Sequence, residues 1–349
     1  MKKINLLHVI TGLGMGGAER VVLDLASASD KKKFNIKVVS LSKRIELLDD
    51  FRKQNIDTNV LYKNSDLISM IEMIKFVNKF VKENNIEIIH AHMTHAAIVA
   101  SMVKLFNPGV KVVFTSHSSN VGSRAREFFL FCLKPLRNID IVFSKDILKF
   151  FYKKNYKIVP NGIKLENYNL KVKKNKKFTF ITIGRLETVK NHQYLIEIAN
   201  RLKNEFDFEL QIVGDGYLKN DLLALIKKYK LEDTVKLLGL RNDIPILLNQ
   251  SHCFLMPSLW EGLPIVLLES AASRIPIIAT PVGSIPSFLT ENDGYLTHLN
   301  NFEHTMTSVF ENYQVAENKA EHLYQKLKLN YSIDSIVMMH EKIYNKVLE

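Results

Sequence analysis

Two carboxylates, Glu261 and Glu269, carry the first chemical signal in the sequence. They lie in the string Pro257-Ser258-Leu259-Trp260-Glu261-Gly262-Leu263-Pro264-Ile265-Val266-Leu267-Leu268-Glu269. The apolar run Cys253–Met256 before it has strand length and is bounded by turn residues. After it, Pro264 and the run Ile265–Ala272 predict a helix with proline in its first turn. Glu261 therefore falls in a strand-to-helix loop, where an open α/β sheet binds its ligands. Glycine at 262 lets a ligand come close to that backbone. Glu269 falls about two turns along an otherwise apolar helix, so its charge needs a partner or a ligand. Taken singly, Glu261 reads more readily as an acid complementing the helix dipole and Glu269 as a solvated helix-face residue.

Two cations occupy a second loop of the same kind. The strand-like Phe178–Ile183 runs into Gly184-Arg185-Leu186-Glu187-Thr188-Val189-Lys190-Asn191. An arginine supplies a planar fork and a lysine a point charge, and together they could straddle a diphosphate. Near the start, Thr11-Gly12-Leu13-Gly14-Met15-Gly16-Gly17-Ala18-Glu19 joins the strand-like Ile4–Ile10 to an amphipathic helix. Gly12, Gly14 and Gly17 formally satisfy G-x-G-x-x-G. That dinucleotide fingerprint also wants an acid after the second strand, to hold a ribose. Here the second strand, about Ile36–Leu41, ends in Ser42-Lys43-Arg44. The dinucleotide reading fails, although a glycine loop that opens a helix can still cradle a phosphate.

Histidines form the third group. His117 closes the strand-like Val112–Ser116, at the ligand-facing edge of such a sheet, although a lone histidine there is more often a satisfied polar group. His90, His92 and His95 cluster at the end of Ile86–Ile89, but no cysteine or acid joins them at metal-ligand spacing, so no metal site is expected.

The elements that position these residues alternate strand and helix along the chain, the pattern of parallel sheets covered on both faces. Asp66–Val81 and Ser144–Lys154 read as helices, and Val60–Tyr62 as a weak third strand. With 349 residues, two domains are the natural expectation. The lysine-rich Lys171–Lys177 reads as the linker and Ile333–Val347 as a last helix. Cys132 and Cys253 both sit in apolar runs and read as buried thiols of a reducing compartment. No apolar run reaches the length of a membrane span and no signal peptide is evident, so a cytoplasmic chain is expected.

The net charge of +12 is uneven. Residues 1–170 hold 27 basic and 15 acidic side chains, whereas 171–349 hold 21 of each. A basic half suits an anionic partner, although lysine kept for solubility would look the same. The apolar, aromatic segment Phe128–Leu133, rimmed by Arg124, Arg126, Lys134 and Arg137, could lie in a membrane interface. Being apolar nearly all round, it reads rather as a helix buried against the sheet. A nucleic-acid module would interleave basic and exposed aromatic residues; no such module is found, and no nucleic-acid partner is expected.

Two strings carry a resemblance. E-G-L-P-x-x-x-x-E at 261–269 and G-R-L-x-x-x-K-N at 184–191 resemble the signatures of the family-4 retaining glycosyltransferases of GT-B fold, in particular those of bacterial cell-surface polysaccharide synthesis. The G-G-x-E ending of the glycine loop, T-x-H at 115–117 and V-P-N-G at 159–162 are similar to further motifs of that family. The resemblance implies an α/β chain of two Rossmann-like parallel-sheet domains facing across a cleft. On this reading residues 1–170 form an acceptor domain and 171–332 a nucleotide-sugar domain. Residues 333–349 form a helix returning to the first.

The family's roles pass to the matching residues. Glu261 and His117 would be catalytic, the first holding a donor-sugar hydroxyl and the second binding the sugar opposite. Arg185, Lys190, Gly16 and Gly17 would take the donor phosphates, Glu269 the ribose hydroxyls, and Gly262, Leu263 and Pro264 the donor sugar. No cofactor or metal is implied, and no D-x-D string occurs. The donor would be a nucleotide-diphosphate sugar, UDP being the commonest in the family. The expected acceptor is a lipid-linked saccharide at the inner face of the cell membrane, with an anionic membrane surface as partner. The alternatives are a soluble small-molecule or protein acceptor and, remotely, a basic nucleic-acid-binding protein.

Overall fold

The computed structural model describes residues 3–61, 69–117, 123–143 and 155–349. They form two compact units, 1–162 with 333–349, and 163–332.

In the first unit, seven strands make one parallel sheet. They are β1 (Ile4–Ile10), β2 (Phe34–Ser40), β3 (Asp57–Val60), β4 (Ile88–His92), β5 (Lys111–Thr115), β6 (Ile139–Val142) and β7 (Tyr156–Ile158), in the order β3-β2-β1-β4-β5-β6-β7. Its helices are α1 (Gly17–Ala28), α2 (Leu48–Lys53), α3 (Met70–Glu83), α4 (Met93–Phe106), α5 (Arg124–Cys132) and, from the far end of the chain, α13 (Ile333–Leu348). Strands buried on both faces read as near-continuous apolar runs, as Leu6–Ile10 does apart from His8. Alternate residues separate the two faces. Leu7, Val9, Ile89, Ala91, Val112 and Phe114 share a core with α3 and α4. Ile10 and Val38 face α1 and α2 instead. The α3 helix opens with a reciprocal capping box between Ser69 and Glu72. The third strand lies earlier than expected, at Asp57–Val60 and not from Val60 onward; Tyr62, the expected start of α3 at Asp66 and the helix expected over Ser144–Lys154 lie outside the described residues.

The second unit holds β8 (Phe178–Ile183), β9 (Phe208–Val213), β10 (Val235–Gly239), β11 (Cys253–Met256), β12 (Ile277–Ala279) and β13 (Tyr295–Leu296), parallel in the order β10-β9-β8-β11-β12-β13. Phe254 and Met256 pack on α8 (Ile244–Gln250), α9 (Ile265–Ala272) and α12 (Tyr313–Asn330). Cys253 and Leu255 face the other way, toward α6 (His192–Leu202), α7 (Lys219–Lys228) and α11 (Leu299–Glu311). A one-turn helix, α10 (Ile285–Phe288), completes the set.

The division between the units falls at Gly162–Ile163, ahead of the lysine-rich stretch at which the sequence suggested it. Ile163 and Tyr168 belong to the core of the second unit, and Lys174 is partly buried with its ammonium on the Ser251 carbonyl, so residues 163–177 are not a free linker. Two further expectations are corrected. Cys132 is exposed, while Cys253 is buried, and burial raises its thiol pKa above the ordinary range. The α5 helix is not buried all round. Leu130 is inside, but Phe128, Phe129 and Phe131 are 62%, 53% and 52% exposed. Among the described residues no helix is long and apolar enough to cross a membrane.

Candidate functional site

Each sheet reverses its strand order once, between β1 and β4 in the first unit and between β8 and β11 in the second. The crevice beyond the carboxyl ends of such strands is where open α/β sheets bind ligands. The loops after β1, β8 and β11, which carry Gly16, Lys190 and Glu261, leave the sheets at those ends.

In the second unit, β8 ends at Ile183 and β11 at Met256, so the loops bearing Lys190 and Glu261 rise from neighbouring strands. The Lys190 ammonium donates to Glu261 Oε1 at 2.6 Å, and Ser258 Oγ donates to the same oxygen at 2.7 Å. Both charged side chains are largely enclosed, at 18% and 8% exposure. Breaking such a pair on one side leaves a desolvated charge, which costs far more than losing a surface ion pair. The lysine stem lies against Gly184, where an added Cβ would meet it at 3.4 Å. Asn191 adopts a left-handed conformation (φ 55°) and donates from its amide to the Pro257 carbonyl, while Leu259 N–H donates to the Val189 carbonyl. These bonds tie the two loops together.

Gly283 fixes the other side of the Glu261 loop. It has φ +56°, and a Cβ there would stand 1.7 Å from the Glu261 carbonyl oxygen. Only a residue without a side chain allows that approach. Ser284 N–H donates to the Gly262 carbonyl, Leu263 is buried in the core, and Pro264 is the N-cap of α9 rather than part of its first turn.

Arg185 and Glu269 find partners the sequence did not name. Arg185 is 73% exposed and donates to Glu187 at 2.6 Å, so it stands apart from the Lys190–Glu261 pair. Glu269 accepts from Tyr168 Oη at 2.5 Å. The sequence also passed over His192, directly after Asn191. It lines a small recess with Lys190, Ser258 and Glu261, and burial, followed by the Lys190 charge, lowers its pKa to about 4. Its position next to the cationic motif was the available signal.

In the first unit, Gly16 caps α1 and Gly17 is its first residue. Leu13 N–H donates to the Arg44 carbonyl and Leu47 N–H to the Leu13 carbonyl, which stitches the glycine loop to the segment after β2. Beside it lies a layer of imidazoles. Register pairs His8 with His90, and His92 with Thr115, on one face of the sheet. His8 Nδ1 is 2.9 Å from His92 Nε2, and His92 Nδ1 is 2.9 Å from His117 Nε2. His90 spans Tyr344 Oη and Thr115 Oγ1, each at 2.7 Å. His340 and Tyr344 come from α13, and His340 Nδ1 donates to the Ile336 carbonyl at 2.9 Å.

His8, His90 and His92 each bring one ring nitrogen within 4.8 Å of one from the other two. A metal needs converging lone pairs, whereas both nitrogens of His90 and both of His92 are engaged in hydrogen bonds. His95, the third member of the sequence cluster, is on α4 and outside this layer. Burial lowers the pKa of every ring in the layer, to about 3 for His8 and His117 and about 4 for His340, so the layer is neutral near pH 7.

The chain was compared with known proteins on this footing. Residues 166–326 match the family model described as glycosyl transferases group 1, and residues 15–167 match glycosyltransferase family 4. A similar relative is the UDP-Gal:alpha-D-GlcNAc-diphosphoundecaprenol alpha-1,3-galactosyltransferase of Escherichia coli, 29% identical over 86% of each chain. Another is the N-acetylgalactosamine-N,N'-diacetylbacillosaminyl-diphospho-undecaprenol 4-alpha-N-acetylgalactosaminyltransferase of Campylobacter jejuni, 28% identical over 80% of this chain and 81% of the relative. Among solved structures, Anabaena Alr3699/HepE in complex with UDP superposes with a TM-score of 0.85 at 18% identity, covering 98% of this chain and 100% of that one, which places the fold among the GT-B proteins. Two models that overlap at residues 166–167 and together span 15–326 take in Gly16, His117, Lys190, Glu261 and Glu269: the chain belongs to glycosyltransferase family 4, the retaining enzymes of GT-B fold, and is a glycosyltransferase.

Proposed function

We propose that this glycosyltransferase moves a hexose or N-acetylhexosamine from a nucleotide-diphosphate sugar, UDP foremost, to a hydroxyl of a lipid-linked saccharide. The setting would be cell-surface polysaccharide synthesis at the inner face of a membrane. The observation that carries the donor side is the enclosed Lys190–Glu261 pair at the strand-order reversal of the second unit. A sugar–phosphate bond breaks with charge building on the departing diphosphate, so a preorganised cation there acts on the transition state. Lys190 would meet the diphosphate, with exposed Arg185 swinging in from its bond to Glu187. Glu261 would take a donor-sugar hydroxyl beside Gly262, Leu263 and Pro264, Glu269 would take the ribose, and Gly16 and Gly17 would turn backbone N–H groups toward phosphate. His117 would bind the sugar. Both relatives named above act, by their names, on diphosphoundecaprenol-linked sugars, which favours a lipid-linked acceptor here. No step in this reading calls for a metal or an additional cofactor.

The exposed Phe128, Phe129 and Phe131 on α5, with Arg124 and Arg126 exposed on its first turn, supply what a membrane interface takes up: apolar rings for the acyl boundary and cations for anionic headgroups.

A thermal-shift panel of nucleoside diphosphates and nucleotide-sugars without metal, on wild type and Arg185→Ala, tests the donor. The expected result is stabilisation of wild type by one nucleoside diphosphate and a smaller shift for the variant. A folded protein stabilised by none of them would sink the reading. For the acceptor side, flotation with anionic vesicles should retain the wild type and release a Phe128→Ser, Phe129→Ser, Phe131→Ser variant. Equal release of both, with transfer to a soluble saccharide, would move the acceptor off the membrane.

A further inference from the structure

The imidazole chain in the first unit has a direction. It begins at His8, passes through His92 and ends at His117, beyond the last residue of β5. A neutral imidazole has one N–H and one lone pair, so each ring's donor choice dictates the next. The inner end settles it. His8 Nε2 is buried, in a side chain with no exposure, and has no hydrogen-bond partner among the described residues. A proton there would be a buried donor with nothing to donate to. A bare lone pair there is the lesser penalty, since orphaned buried N–H groups are the rarer defect. His8 therefore carries its proton on Nδ1 and donates to His92 Nε2. His92 then carries its proton on Nδ1 and donates to His117 Nε2. His117 is left with its remaining proton on Nδ1, an atom with no hydrogen-bond partner among the described residues.

We propose that His8 and His92 are positioning residues that lock His117 as its Nδ1–H tautomer, so that His117 offers a ligand oxygen a hydrogen-bond donor and not a base. Burial keeps all three rings uncharged, which preserves the one-donor, one-acceptor rule along the chain. That the ligand oxygen belongs to the donor sugar rests on the function proposed above; the tautomer does not.

Nitrogen NMR on the full chain with isotope-labelled histidine reads the tautomer directly, the His117 signals being assigned by their loss in His117→Asn. The expected spectrum of wild type has a protonated Nδ1 and a bare Nε2 on His117. His8→Asp puts an acceptor where His8 Nδ1 donated, so His92 and His117 should both reverse. His8→Asn can still donate and should leave them as in wild type. With reversal, affinity for the nucleotide-sugar should fall about tenfold while the free nucleoside diphosphate binds as before. A wild-type His117 protonated on Nε2 overturns the proposal, even if His8→Asp does not fold. So does a His117 tautomer unchanged in a folded His8→Asp protein. A wild-type Nδ1–H signal in a protein that binds no nucleotide-sugar would uphold the lock and overturn the donor-sugar reading alone.

Discussion

The two units answer the same architectural problem with opposite electrostatics. Both are parallel sheets that reverse strand order once, and both gather polar side chains at that point. The second unit places an ammonium and a carboxylate there, enclosed and paired. The first places a layer of imidazoles there that burial keeps neutral. The difference teaches what each can do to a ligand. A charge pair at a crevice can give up its partners to a ligand: Lys190 can take a phosphate in place of one anion, and Glu261 can then accept a hydrogen bond from a hydroxyl. A neutral layer cannot stabilise developing charge to the same extent, but it can fix orientation and donor direction.

Acid should expose this contrast most strongly. The folded-state pKa values of His8, His117 and His340 lie at about 3, 3 and 4, below the ordinary value of 6.5. The unfolded chain therefore binds more protons than the folded one across that window. Stability is full above about pH 6.5 and falls as pH drops toward 4, by up to about 1.4 kcal/mol per pH unit for each such histidine. Hydrogen exchange at pH 5 should quicken first in β1, β4 and β5; equal acceleration in β8 and β11 would erase the contrast.

Lys190→Ala attacks the charged side of the comparison. It removes the cation and leaves Glu261 enclosed with Ser258. The turnover number should drop about 10²–10³-fold. An unchanged rate with folded protein would mean that the pair is structural. Gly283→Ala should cost about 3 kcal/mol of stability, because its Cβ would overlap the Glu261 carbonyl at a left-handed position. A melting temperature close to wild type would show that the Glu261 loop is not pinned there. Tyr168→Phe is the mildest change. Losing the hydroxyl on Glu269 should cost about 1–2 kcal/mol and weaken nucleotide binding slightly. Tighter nucleotide binding instead would identify Tyr168 as a competitor for the carboxylate.

What the sequence revealed depended on distance along the chain. The two strings of the second unit are local, and Glu261, Lys190 and Arg185 stand in the loops they predicted. The α/β alternation was legible for the same reason, as strand length and apolar runs are properties of short windows. The Lys190–Glu261 bond joins residues 71 apart, and Tyr168 meets Glu269 across 101, so no spacing rule could pair them. The imidazole layer was legible least. His90 and His92 were visible as neighbours, but His8 joins them through strand pairing and His340 through the return of α13. The α5 segment failed for another reason. A run apolar on every side has no periodicity to say which face is covered, and the buried reading lost to three exposed phenylalanines.

The return of α13 also bears on how the protein is made. Its Tyr344 and His340 rest among His90 and the other rings, so the layer is roofed by residues that leave the ribosome after the whole of 163–332. The first unit to begin synthesis is thus the last to be finished. For most of translation its sheet waits with polar rings uncovered, while the second unit, contiguous in sequence, is free to fold ahead of it.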